Sequence, residues 1–159
     1  SLIEKPNEMS IIRNVIAVVS GKGGVGKSTH AAFWKQLPGI GARIINGDKP
    51  ILRIMDGKPY VCGTPWMGKE GYGCNKNVPL SAICLLERGN ENQIERVDFS
   101  KVYPRLIGQS YRPESGALIA KTVKLLEKIG HCTPIYQLYC TMEDEAATVS
   151  FGGMSDDKV

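Results

Sequence analysis

With 159 residues, 42% of them hydrophobic and 23% charged, the chain has the length and balance of one globular domain with a modest core. Its net charge of +4 is spread without a long basic block, which argues against a nucleic-acid surface and suits a small anionic ligand. No apolar run approaches the ~20 residues of a membrane helix and no signal-peptide pattern opens the sequence, so no membrane partner is expected. The five cysteines (Cys62, Cys74, Cys84, Cys132 and Cys140) form no C-x-x-C pair. They read as free, mostly buried thiols in a reducing compartment, with the cytoplasm as the default location.

Residues 1–10 are polar and read as a tail or linker, 11–154 as one domain, and 155–159 as a polar end. Ile11–Ser20 is β-branched and almost uniformly apolar towards its end, as a strand covered on both faces would be. A glycine-rich segment follows, then a helix over Thr29–Leu37 stopped by Pro38 and Gly39. Ala42–Asn46 reads as a second buried strand. Ile51–Met55 and Tyr60–Cys62 flank Asp56-Gly57 as a β-hairpin. From Gly63 to Pro79 four glycines and two prolines predict a long loop, and a loop of that length in a compact domain is usually functional. Leu80–Leu86 reads as a third buried strand and Gln93–Val97 as an edge strand. Asp98 is placed to cap a helix running to about Gly108. Glu114–Ile129 shows helical periodicity, with Leu118, Thr122, Leu125 and Ile129 on one stripe and Gly130 as its stop. Ile135–Cys140 is a last strand, and Thr141 would cap a helix with Glu143–Glu145 in its first turn.

The residues Gly21-Lys22-Gly23-Gly24-Val25-Gly26-Lys27-Ser28 fit G-x-x-x-x-G-K-[ST], after a strand and before a helix. Glycines allow the backbone to curl until several N–H groups face one phosphate, and the helix end adds about half a positive charge. Lys27 would neutralise the β- and γ-phosphates and the Ser28 hydroxyl would ligate Mg²⁺, with Thr29 completing the cradle. ATP and Mg²⁺ are therefore the expected cofactors. Asp48, 21 positions beyond Lys27, would lie at the carboxyl edge of the sheet as a second metal ligand or as the base for an attacking hydroxyl. Lys69, Arg88 and Arg112 are candidate clamps for phosphate charge. His30, Trp34 and Trp66 read as packing or anchoring residues, and His131 as a loop residue. The strand, glycine loop, helix, strand order implies an α/β fold, a three-layer P-loop nucleotide-binding domain with a mixed, mainly parallel sheet.

Two resemblances follow from these residues. Asn14–Thr29 (NVIAVVSGKGGVGKST) resembles the deviant P-loop of the MinD/ParA/Mrp class, most closely Mrp-type iron–sulfur carrier ATPases. Lys22 matches the lysine that acts across a dimer there, which implies a homodimeric switch or carrier. From Ser28 onward the chain resembles HPr-kinase-like proteins, a group related to HPr kinase/phosphorylase and phosphoenolpyruvate carboxykinase. The matching residues are Ser28-Thr29-His30, Trp34, Ile44-Ile45-Asn46-Gly47-Asp48-Lys49-Pro50, Gly63-Thr64-Pro65-Trp66 with Gly68-Lys69, Val78-Pro79-Leu80 and Leu86-Glu87-Arg88-Gly89. That likeness implies phosphoryl transfer from ATP–Mg²⁺ to a protein or small-molecule hydroxyl, with Lys27 and Asp48 as the catalytic residues. Gly47 stands at the first position of the family's acidic pair and Asp48 at the second. A third reading is a non-catalytic, truncated, recombined or engineered chimera with its seam near Gly26-Lys27-Ser28-Thr29.

Overall fold

In the computed structural model the described residues are 15–19 and 26–156. The tail over 1–10, the first residues of the expected opening strand, most of the glycine-rich loop (Gly21, Lys22, Gly23, Gly24, Val25) and the last three residues lie outside them. The elements are β1 (Val15–Val19), α1 (Lys27–Gln36), β2 (Ile51–Met55), β3 (Lys58–Cys62), β4 (Asn77–Arg88), β5 (Gln93–Arg96), α2 (Phe99–Gln109), α3 (Gly116–Cys132), β6 (Ile135–Cys140) and α4 (Glu145–Asp156). The fold is mixed α/β.

One six-stranded sheet runs β2-β3-β4-β6-β5, with β1 attached to β4 off that path. The β1–β4 and β4–β6 ladders are parallel; β2–β3, β3–β4 and β5–β6 are antiparallel. The sheet is therefore mixed but not mainly parallel, because the β2–β3 hairpin and the short return from β4 into β5 bring antiparallel strands to it. The long β4 bonds to β3 at its start, to β1 along its middle and to β6 at its end.

Val15 pairs with Leu80 but Ile16 with Ala82, so Ser81 is an extra residue in β4. A bulge of this kind reverses the in/out alternation. Val78 and Leu80 before it, and Ile83 and Leu85 after it, accordingly share one cluster with Val102, Leu106, Ile129 and Ile135 from α2, α3 and β6. Ala82, Cys84 and Leu86 join Tyr136, Leu138, Cys140, Ala146 and Met154 on the other face, against Trp34 of α1. Leu85 and Leu138 are fully buried. Each such side chain contributes about 1.5–3 kcal/mol by removal from water.

Three expected elements differ. Ala42–Asn46 is not a strand: Asn46 forms one isolated bridge with Gly73. Its neighbours' backbone groups are taken by the glycine-rich loop instead, through Cys74 N–H to Ile45 O at 3.0 Å and Gly47 N–H to Tyr72 O at 3.0 Å. The helix over Glu114–Ile129 begins at Gly116 and continues through Gly130 to Cys132, so His131 is helical. Its stripe is only partly covered, with Leu118 48% and Leu125 52% exposed beside a buried Ile129. Thr141 does not cap α4, which starts at Glu145; its N–H (2.9 Å) and hydroxyl (3.2 Å) donate to Asn92 Oδ1. That last helix also takes in Ser155 and Asp156 from the expected polar end. Asp98 occupies the position before α2, but the expected side-chain capping bond is not formed.

Gly130 does not stop α3 because it serves packing. The Phe99 ring occupies the space where a Cβ would stand. Gly130→Ala is therefore expected to destabilise the fold by about 1–3 kcal/mol through overpacking. Gly116, with open space around its α-carbon, provides the control. Urea denaturation should show the loss for Gly130→Ala and none for Gly116→Ala; equal midpoints would contradict the packing role.

Candidate functional site

In an open α/β sheet ligands gather where parallel strands end. Here β1, β4 and β6 run parallel, β4 and β6 ending together and β1 three residues short of them. Beyond β1 the first described residue is Gly26, the residue before α1, with φ 86 and ψ 28. This left-handed conformation suits glycine. The helix closes with His30 N–H to Gly26 O at 2.8 Å, leaving the amides of Lys27, Ser28 and Thr29 without intrahelical acceptors. Among the described residues no side-chain cap bonds to this end and no acidic residue lies in its first turn, so none of them neutralises its positive pole. Lys27 and Ser28 are exposed and Thr29 is half-buried. A Cβ on Gly26 would come within 2.9 Å of Met142 Sδ and Cε, so the segment between β6 and α4 lies directly against the loop's last glycine.

Arg88 ends β4 opposite Cys140. Strand alternation sends its side chain to the face of Cys84, Leu86 and Cys140, where α1 and α4 pack. Glu87 takes the other face and pairs with Arg105 of α2 at 3.2 Å. Both partners are well exposed, so the pair contributes little. The Cys140 thiol is pushed up by burial and partly held back by the Arg88 charge; Cys84, deeper in the sheet, is pushed up to about 12 by burial, with Cys140 adding to it.

Asp48 belongs to a different assembly. Asn46 Nδ2 donates to Thr64 Oγ1 (2.9 Å), Thr64 O (3.3 Å) and Trp66 O (3.1 Å), while its Oδ1 accepts from Asp48 N–H at 2.9 Å. The Thr64 hydroxyl donates to Lys49 O at 2.8 Å. These bonds knot the Asn46–Lys49 turn to the loop that carries Trp66, Gly68 and Lys69. Asp48 is exposed and packs beside Gly68, and Gly47 sits against Tyr72. The Tyr72 ring lies 4.7 Å from Lys35 Nζ, near the far end of α1. Lys35 is about 12 Å along the helix axis from Lys27. Among the described residues no ion pair joins Asp48 to Lys27. Trp66 is 60% exposed and is no core anchor; its carbonyl, not its ring, is held. Arg112 packs over Gly108 at the end of α2.

His30 and Trp34 act as packing residues. Trp34 Nε1–H donates to Ser150 Oγ (2.9 Å) and His30 Nε2 (3.2 Å), and the Ser150 hydroxyl donates to Ala147 O at 3.0 Å. This fastens α1 to α4 one turn beyond Lys27. Ser150 Oγ also lies 3.3 Å from His30 Nε2. Burial keeps the ring neutral, and the tautomer with its proton on Nδ1 lets Nε2 accept from Trp34. Of the cysteines, Cys84 and Cys140 are buried, Cys62 and Cys74 half-buried and Cys132 exposed. Among the described residues no three His, Cys, Asp or Glu side chains converge as a metal site, and no helix is long and apolar enough to cross a membrane. A cavity of about 470 Å³ at the opposite edge, lined by Asp98, Phe99, His131 and Thr133 among others, includes none of the predicted site residues.

Sequence reasoning did not pick out Met142 or Ser150. Nothing local to either residue signals its role; the parallel packing of α1 beside α4 creates both. No protein-family model, curated protein or solved structure matches the chain.

Burial lowers His30 from 6.5 to about 4. The unfolded chain thus takes up a proton first as pH falls, so stability is complete above pH 6.5, is lost between pH 6.5 and about 4, and levels off below that. The loss is at most about 3 kcal/mol. Denaturation midpoints measured across this window should fall for the native chain and fall less for His30→Gln; identical slopes would contradict a neutral buried His30.

Proposed function

We propose that the chain is a three-layer P-loop nucleotide-binding domain that holds ATP–Mg²⁺ at Gly21–Thr29 and transfers the γ-phosphate to a hydroxyl of a protein or small molecule. The observation that carries this reading is the N-terminus of α1, which no described side chain caps, behind a left-handed Gly26 and with Lys27 and Ser28 exposed near the end of parallel strands. A phosphate meets there free amides, a helix pole and an ammonium group. These residues fit the anion on their own chemistry.

Bound magnesium would neutralise charge developing on the phosphate oxygens. It needs few protein ligands when phosphates and water supply the rest, and the exposed Ser28 hydroxyl can be one of them. Lys27 would orient the terminal phosphate, and the helix amides would hold its neighbours. Asp48 is the proposed base, presented on the Asn46 knot. The acceptor hydroxyl would enter between that knot and α1, and Trp66 and Tyr72 give this side an exposed aromatic surface for it.

A second reading is favoured by the separate anchoring of Asp48: a phosphate-binding module without transfer. The Mrp-type dimeric switch rests on Lys22, which lies outside the described residues.

Calorimetry with ATP and Mg²⁺ tests the site. Lys27→Ala should weaken binding by about 10- to 100-fold or more, the cost of losing a charged hydrogen bond. Unchanged affinity would end the assignment. Asp48→Asn should leave affinity intact and abolish phosphoryl transfer; retained transfer would remove Asp48 from the mechanism, and no transfer by the native chain to any hydroxyl acceptor would favour the binding module.

A further inference from the structure

The reading of Gly21–Thr29 as a triphosphate site, on which this inference rests, leaves a charge problem at the rim. Met142 lies against Gly26, so the residues that follow it, Glu143, Asp144 and Glu145, bring exposed carboxylates to the same end of the sheet. Mg²⁺, the lysines of the glycine motif and the helix pole balance part of this charge, and a further cation on the face shared by α1 and α4 would balance more of it.

We infer that Arg88 is that cation, a phosphate-binding residue reaching the anion from the end of β4. Three observations single it out from the other basic candidates. Val19, the last described residue before the glycine-rich segment, pairs with Leu85, so Arg88 lies three residues further towards the ligand edge on the strand next to β1. Alternation puts its side chain on the α1 and α4 face rather than the α2 face. Its register partner Cys140 is two residues from Met142, which touches Gly26. Lys69 follows Gly68, which packs beside Asp48, and Arg112 lies over Gly108 of α2, the helix that covers the other face of the sheet. Glu87 is turned the other way and occupied by Arg105. A guanidinium offers paired donors to phosphate oxygens that a lysine cannot reproduce.

The test is calorimetric titration of the native chain, Arg88→Ala, Arg88→Gln, Arg88→Lys and Arg105→Ala with Mg²⁺–ATP and with inorganic tripolyphosphate, at low and moderate salt. Arg88→Ala and Arg88→Gln should each weaken both ligands by about 10- to 100-fold and flatten the salt dependence. Arg88→Lys should fall between these and the native chain, and Arg105→Ala should bind as the native chain does. Two Arg88 variants guard against misfolding of either, judged by thermal melts. If both fold and bind like the native chain while Lys27→Ala loses affinity, the role of Arg88 is overturned and the site stands. If the native chain binds neither ligand, both fall.

Discussion

The structure depends on β4. Its twelve residues carry the antiparallel hairpin at one end, β1 through the middle and β6 at the other end. The extra residue at Ser81 lets a single strand serve two different neighbourhoods, since Val78 and Leu80 face the same core as Ile83 and Leu85 despite their opposite parity. Without that step, either the hairpin end or the α2–α3 end would turn its apolar side chains outward. The charged pair that closes the strand, Glu87 and Arg88, is divided between the two faces by the same alternation.

The start of α1, where phosphate binding is proposed, is held from behind rather than from below. Among the described residues β1 has one strand neighbour, so α1 gains much of its support from α4. Trp34, His30 and Ser150 form a buried polar junction between the two helices, and the Trp34 ring meets Phe151 edge-on with centroids 5.8 Å apart. A polar junction in a core costs energy when any member loses its partner, so it fixes one relative placement of the helices. The position of Lys27 follows from that placement.

Much of this was legible in the residues. The strands Ile51–Met55, Tyr60–Cys62, Leu80–Leu86 and Ile135–Cys140 announce themselves by β-branched, apolar composition and turn residues, and β1 to α1 by the glycine motif. The failures share a cause. Ala42–Asn46 has strand composition, yet its backbone groups bond the glycine-rich loop, a competition between segments that composition does not display. Gly130 has the look of a helix stop, but it is there because Phe99 arrives from another element. Asp48 was assigned to the phosphate edge by its strand, and once that strand is absent its place is set by Asn46 and Thr64. The helix expected over Thr29–Leu37 begins two residues earlier, at Lys27. Lys27 and Ser28 follow from local motif and context, whereas the surroundings of Asp48 depend on bonds between segments distant in the chain.

The parallel pairing of Val19 with Leu85 spans 66 residues of chain. Such a contact is entropically costly to close and forms late, after local hairpins and helices. The strand that precedes the glycine motif is synthesised before β4, so it has no parallel neighbour to join until β4 has left the ribosome. During that interval Val15, Ile16, Val18 and Val19 form an apolar segment without its sheet partner, the kind of surface that invites misassembly.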